Sequence, residues 1–270
     1  MRAYLTDLVR AAATPSEARL RTREYLQVRI LYHLQRLGAM TALAFQGGTA
    51  LRLLYGLARF SEDLDFALEH LHPEVDLARW LHAVQRRLHA EGYPAALRRV
   101  RLQRTVASAF VHFPGLLHEL GLSPHPDESL SVKIEVDTRP PAGATTRTTL
   151  VRRHDTLLHV YHHDRASLLA GKIHALLQRP WLKGRDVYDL VWMLSEPTWP
   201  EPNISLLQHA LEQTGWQGPP VTASTWRRRV QERLQAADWT QVRQDAVPFL
   251  EDAGHLDYLT PQVVMAVLEE

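Results

Sequence analysis

Asp63 and Asp65 stand one residue apart in the stretch Ser61-Glu62-Asp63-Leu64-Asp65-Phe66. Residues two apart on a strand face the same side. The spacing therefore predicts a strand that presents both carboxylates together and turns Leu64 and Phe66 to the core. Two carboxylates held side by side repel unless a cation lies between them. Hard oxygen donors suit Mg²⁺, with Mn²⁺ as a substitute, and substrate phosphates complete its shell. Upstream, Gly47-Gly48-Thr49 supplies the second ingredient. Glycine allows positive φ and close approach of a ligand. Thr49 then opens a helix, whose free N–H groups favour a phosphate. Arg59 and Ser61 lie between the two motifs, and either has the chemistry to hold a triphosphate. Alone, the glycines make a turn and the aspartates a solvated strand. In this order they describe a site for a nucleotide and its metal.

A third carboxylate is expected on the strand Ser131–Asp137, where Lys133, Glu135 and Asp137 share one face. A two-metal site needs such a group near the attacking hydroxyl. Glu135 lies mid-strand and is the choice over Asp137 at the strand end. Lys172 falls among Leu168, Leu169, Ile173, Leu176 and Leu177. A lysine on an apolar helix face either snorkels or reaches an anion, and a triphosphate is the natural anion here. Asp186 and Asp189 are three apart on the next helix, so they share a face. One is expected to pair with Lys172 or Arg185, and Asp189 equally with another arginine. Lys183-Gly184-Arg185, at the start of that helix, is a further candidate phosphate contact. His154, His159, His162 and His163 cluster without the spacing of a zinc site. Three basic groups, at Arg98–Arg104, at Arg147 with Arg152-Arg153, and at Arg227–Arg229, read as surface or as an RNA groove.

These residues need a scaffold. Thr14-Pro15-Ser16-Glu17 is a helix start, with Thr14 as cap and Pro15 at the first position. The apolar stripe carries that helix to about Leu37, and Gly38 ends it. Strands are expected at Thr41–Phe45, Leu64–Leu68, Leu97–Arg104, Val106–Phe113, Leu130–Asp137 and Thr156–Tyr161. Helices are expected over Thr49–Leu57 and Pro73–Glu91, with a loop from Pro114 to Ser129. After Asp164 the pattern turns helical, over 165–179, 185–195, 203–213, 222–236, 239–250 and 261–269. The chain thus divides into a mixed α/β domain, residues 1–161, and a helical domain, residues 162–270.

The bulk composition is that of a globular protein: 270 residues, 45% hydrophobic, 23% charged, net charge +1. No global field calls for a polyanion. Without cysteine there is no disulfide, thiolate catalysis or cysteine-bound zinc. Only Lys133, Lys172 and Lys183 are lysines, so each is worth inspecting. No apolar run has the length of a membrane span or a signal peptide, and a cytoplasmic location is expected.

Gly47-Gly48-Thr49-Ala50-Leu51 followed by Arg59-Phe60-Ser61-Glu62-Asp63-Leu64-Asp65-Phe66 resembles the signature of the AbiEii/AbiGii-type nucleotidyltransferases, the toxin halves of AbiE-like and MenT-like toxin–antitoxin pairs. Lys133-Ile134-Glu135-Val136 is similar to the family's third-carboxylate strand. Gly171-Lys172-Ile173-His174 and Gly184-Arg185-Asp186-Val187-Tyr188-Asp189 resemble its later lysine and aspartate motifs. The resemblance spans residues 45–190. It implies an α+β, polymerase-β-like nucleotidyltransferase fold: a mixed sheet with flanking helices, followed by a helical C-terminal domain. Because Glu135, Lys172 and Asp186 follow in order across the boundary near residue 161, that domain is expected to complete the active-site cleft. The resemblance implies that Gly48 and Thr49 hold triphosphate and that Asp63 and Asp65 bind Mg²⁺. Lys172 and Asp186 would be needed for activity, the lysine on nucleotide phosphates. It further implies an NTP substrate, a tRNA 3′ end as acceptor, a block of translation and a cognate antitoxin. Asp137 departs from the small polar residue expected there. Two rival readings are transfer to a protein or small molecule, and a non-catalytic nucleotide-binding module.

Overall fold

The computed structural model describes residues 2–70 and 75–269. The chain divides into two compact units. The first comprises residues 1–56, 60–140 and 148–162, and the second residues 57–59, 141–147 and 163–270.

The first unit is built on a seven-stranded mixed sheet. Its strands are β1 (Leu43–Gln46), β2 (Asp63–Leu68), β3 (Ala96–Arg101), β4 (Val106–Pro114), β5 (Ser129–Asp137), β6 (Thr146–Arg153) and β7 (Thr156–His163), in the order β3-β4-β5-β2-β1-β7-β6. β2 runs antiparallel to β1 and parallel to β5, and β4 runs antiparallel to β5 and β3. Alternation decides the faces. Ala107, Ala109, Val111 and Phe113 of β4 and Val132, Ile134 and Val136 of β5 are buried. Leu34, Trp80 and Leu81, from the helices Pro15–Arg36 and Leu77–Ala90, meet Ala107, Ala109, Ile134 and Val136 on that side. The other side of β2, β4 and β5 therefore carries the polar residues of those strands.

The long helix begins as its sequence dictates. The Thr14 hydroxyl accepts from the Glu17 N–H at 3.1 Å, and the Glu17 carboxylate accepts from the Ala13 N–H at 2.8 Å. Asp76 caps the helix Leu77–Ala90 by accepting from the Arg79 N–H; the expected earlier start at Pro73 lies outside the described residues. Several elements differ from expectation, among them an unexpected helix at Arg2–Arg10 and a 3-10 helix at Ala253–Tyr258. The chain between Pro114 and Ser129 contains a short helix, Leu116–Glu119. The helix after Thr49 begins already at Gly47 and opens into a π-turn over Leu51–Tyr55. β6 is a strand where none was expected, because its residues are exposed or half-buried throughout and Leu150 is 63% exposed. A strand without a buried face leaves no alternation to read.

The second unit is helical. The helices Arg165–Gln178 and Ile204–Gln213 are capped by Asp164 and Asn203, and the helix Trp239–Ala246 by Asp238. With Gly184–Leu194, Trp226–Gln235 and Pro261–Glu269 they enclose Ile173, Val187, Leu190, Leu207, Trp226, Val230 and Val264. The two short excursions are part of this packing. Arg59 pairs with Leu250 in an isolated bridge, and the Asn203 amide donates to the Gly143 carbonyl at 2.8 Å. Among the described residues, no helix is long and apolar enough to cross a membrane.

Candidate active site

In the first unit, strand register assembles the carboxylates. Asp65 lies directly opposite Glu135 in the parallel β2–β5 pair, and Asp63 opposite Lys133. Across the next ladder, Ser108 of β4 opposes Glu135, and Phe110 opposes Lys133. Two rows thus cross the open face: Asp65, Glu135 and Ser108 in one, Asp63, Lys133 and Phe110 in the other. Asp137 falls a row further on, opposite Ala67. It accepts from the Arg139 N–H at 2.9 Å, and burial, reinforced by Glu69, raises its carboxyl above the ordinary range despite that bond. The Lys133 ammonium holds Glu135 at 2.8 Å.

The glycine turn closes onto these strands. Gln46 of β1 opposes Asp65. Gly47 follows with φ of +77°, and a Cβ there would stand 2.4 Å from Asp65 Oδ2. Both facts demand glycine. Gly48 and Thr49 are buried, and the Thr49 hydroxyl donates to the Asp63 carbonyl, which ties the helix start to the strand of the aspartate pair. Ser61, half-buried, accepts on its carbonyl from the Gln27 amide at 3.1 Å.

Arg59, Lys172 and Asp186 belong to the second unit, where they form one chain of charges. The Arg59 guanidinium forks onto Asp189, with both bonds at 2.6 Å and side-chain exposures of 3% and 0%. The Lys172 ammonium bridges Asp189 at 2.6 Å and Asp186 at 3.0 Å. Arg179 closes the chain on the other oxygen of Asp186. Burial alone would lower Lys172, but Asp189 and Asp186 raise it above the ordinary lysine value. Burial would raise Asp186, but Lys172 and Arg179 hold it below the usual carboxylate range. Nε and Nη2 of Arg59 are both committed to Asp189. The basic start of the next helix also has another use. Arg185 lies over the Phe249 ring at 4.1 Å, and a Cβ on Gly184 would meet the Val242 carbonyl oxygen at 1.8 Å. Gly184 is there for close helix packing.

A model of the nucleotidyl transferase AbiEii toxin family, a type IV toxin–antitoxin system, matches residues 29–267. The chain belongs to this family. It is a nucleotidyltransferase of the AbiEii toxin type. Among solved structures, it is similar to MenT4, a nucleotidyltransferase toxin from Mycobacterium tuberculosis H37Rv, at a TM-score of 0.53 and 18% identity over 99% of each chain. JHP933 from Helicobacter pylori gives a TM-score of 0.48 at 20% identity over 93% of each chain. A second structure from H. pylori gives 0.47 at 20% identity, over 92% of this chain and 95% of that one. No curated protein matches the chain. The MenT4 likeness establishes the expected mixed-sheet fold.

The AbiEii chain's donor set fits a hard divalent ion. Asp63 and Asp65 project from one strand face, with Glu135 beside Asp65 on the next strand. Among the described residues, no three His, Cys, Asp or Glu side chains close into a cage. Mg²⁺ does not require one, since one or two carboxylates with waters and phosphates suffice. The histidines go elsewhere: His154 meets Tyr4 and Glu24, and His162 meets Thr149. Sequence reasoning missed Ser108 and Phe110. Their signal was the alternation of β4, which places them on the carboxylate face.

Proposed function

We propose that this AbiEii-family enzyme is a Mg²⁺-dependent nucleotidyltransferase that joins a nucleoside monophosphate to the 3′ end of tRNA and so blocks translation. The observation that carries the reading is the register of Asp65 with Glu135, on the face that also presents Asp63, with Gly47 closed against Asp65. Asp63 and Asp65 would hold the metal, which supplies charge to polarise the α-phosphate and neutralise the departing pyrophosphate. Glu135 accepts the proton of the attacking hydroxyl. The new O–P bond forms at the α-phosphorus as the bond to pyrophosphate breaks. Gly47, Gly48, Thr49 and Ser61 would offer backbone N–H groups to phosphate oxygens. Lys172 and Asp186 enter on the resemblance of their motifs. An antitoxin that restrains the enzyme follows from the family.

The test is incubation of purified protein with α-³²P-NTP, Mg²⁺ and total tRNA, followed by sequencing of tRNA 3′ ends from cells expressing wild type or Asp63→Ala. Labelled tRNA with wild type alone supports the proposal. Label confined to protein or small molecules, or label unaffected by Asp63→Ala, overturns it.

A further inference from the structure

The polar face of the sheet continues past the carboxylates into an open groove of about 760 Å³ on β3, β4 and β5. Arg99, Arg101, Arg104 and Lys133 line it against one acid, Glu135. Phe110 lies in its wall, half-buried, with the Arg99 guanidinium 5.7 Å and the Lys133 ammonium 5.9 Å from its ring centre. β3 is an edge strand, and arginines on an edge guard against aggregation. That role does not account for Arg99. The β3–β4 register slips between Arg98 and Arg101, and Arg99 takes a φ of +49° there. A bulge of this kind re-aims a side chain, and the one re-aimed sits over Phe110. The His112 ring lies 6.0 Å from that of Phe110, and burial, then Arg98 and Arg99, hold it below its ordinary value.

We propose that this groove binds the single-stranded 3′ end of the acceptor RNA, with a base stacked on Phe110 and the backbone phosphates on Arg99, Arg101 and Arg104. An aromatic platform rimmed by cations is the chemistry by which single strands are held without base pairing. Position supports the assignment. In the order β4-β5-β2-β1, the carboxylates occupy the two inner strands, the glycine turn leaves β1 on one flank, and the groove lies on the other. In-line displacement needs the incoming hydroxyl and the leaving pyrophosphate on opposite sides of the phosphorus. Glu135 is both the groove's acid and the row partner of Asp65. The inference rests on the proposed transfer to RNA and adds where that RNA lies.

The experiment is fluorescence anisotropy of a 5′-labelled single-stranded RNA against the full chain, without NTP, over a series of salt concentrations. Phe110→Ala is expected to weaken binding about 5- to 150-fold, the range of one lost stacking contact. Arg101→Ala with Arg104→Ala is expected to flatten the slope of log K on log salt by about 1.4, at about 0.7 per phosphate on a single strand. Arg10→Ala, an exposed arginine outside the groove, serves as control and leaves both unchanged. Thermal melts confirm folding, and because Arg101 and Arg104 are exposed, their variants keep the test available should Phe110→Ala fail to fold. NTP affinity, measured by calorimetry, is expected to stay within about twofold. Wild-type RNA affinity in the groove variants overturns the inference, as does a loss of NTP binding with RNA binding intact. Groove-dependent RNA binding with no labelled RNA would instead leave the groove standing and remove the transfer reading. Labelled tRNA with unaltered groove variants would do the reverse.

Discussion

At the scale of single residues, the third carboxylate is a matter of register. Glu135 and Asp137 share a strand face, yet only Glu135 stands opposite Asp65. Glu135→Gln is expected to lower transfer about 10²-fold or more, as loss of a general base does, while Asp137→Asn keeps activity within a few-fold; single-turnover assays separate the two. Asp63→Asn and Asp65→Asn should each cost about 10²-fold or more, the scale of one lost electrostatic group. Asp137 carries a second prediction, in stability. Its folded pKa is raised, chiefly by burial, so the protonated form favours the fold and that stability is lost as pH rises through the raised value. Asp137→Asn should therefore melt higher than wild type at pH 7, with the gap closing as pH falls below the unfolded-state value of about 3.9, where the carboxyl becomes protonated in both states. Calorimetry across that range checks it. Glu135 and Asp137 look alike in the sequence because alternation gives the face but never the partner strand.

At the scale of elements, two glycines show how the same residue type serves different ends. Gly47 has positive φ and Asp65 Oδ2 where a Cβ would go. Gly47→Ala should cost about 1–3 kcal/mol by overpacking and also lower activity, because the carboxylate must move. Urea unfolding and the transfer assay together check both parts. Gly184 instead lets its helix touch the backbone of Trp239–Ala246 at Val242. The sequence motif Lys183-Gly184-Arg185 invited a phosphate reading, and packing explains the glycine without one. The ion-pair chain binds elements in the same unit. Asp189→Ala removes the carboxylate fork from buried Arg59 and one of the two carboxylates on Lys172, and a loss of about 3–5 kcal/mol is expected from chemical denaturation. Asp186 has a depressed folded pKa, so its stabilisation is present above the usual carboxylate range and is lost as pH falls through the folded value. Lys172 is raised, and its share is lost only at alkaline pH.

At the scale of the whole molecule, the second unit is not one continuous stretch of chain. It takes in Leu57–Arg59 and Pro141–Arg147 besides the helices after His163. A fragment of residues 163–270 would lose the Arg59 fork on Asp189 and the Gly143 carbonyl that receives Asn203. It is expected to show no cooperative thermal transition, whereas the full chain shows one; a cooperative melt of the fragment would refute this. The sequence marks a change of composition near residue 161, from mixed to helical, but cannot show that earlier segments belong with the later ones.

Short-range order was legible where chemistry is local. A cap box at Thr14, alternation in Leu130–Asp137 and the one-residue spacing of Asp63 and Asp65 each state their own geometry, because the forces involved act within a turn or a strand pair. The family and its chemistry came instead from the resemblance of whole motifs, from Gly47-Gly48-Thr49 to Gly184-Arg185-Asp186. Partners far apart along the chain were not legible. Asp189 binds Arg59 across 130 positions, β6 has no buried face to betray it, and Phe110 joins Asp63 only through Lys133 on an intervening strand. Sequence determined which faces carry carboxylates, cations and aromatics. Tertiary structure decided which of those faces meet, because strand order and register depend on the packing of the whole sheet and not on any single segment.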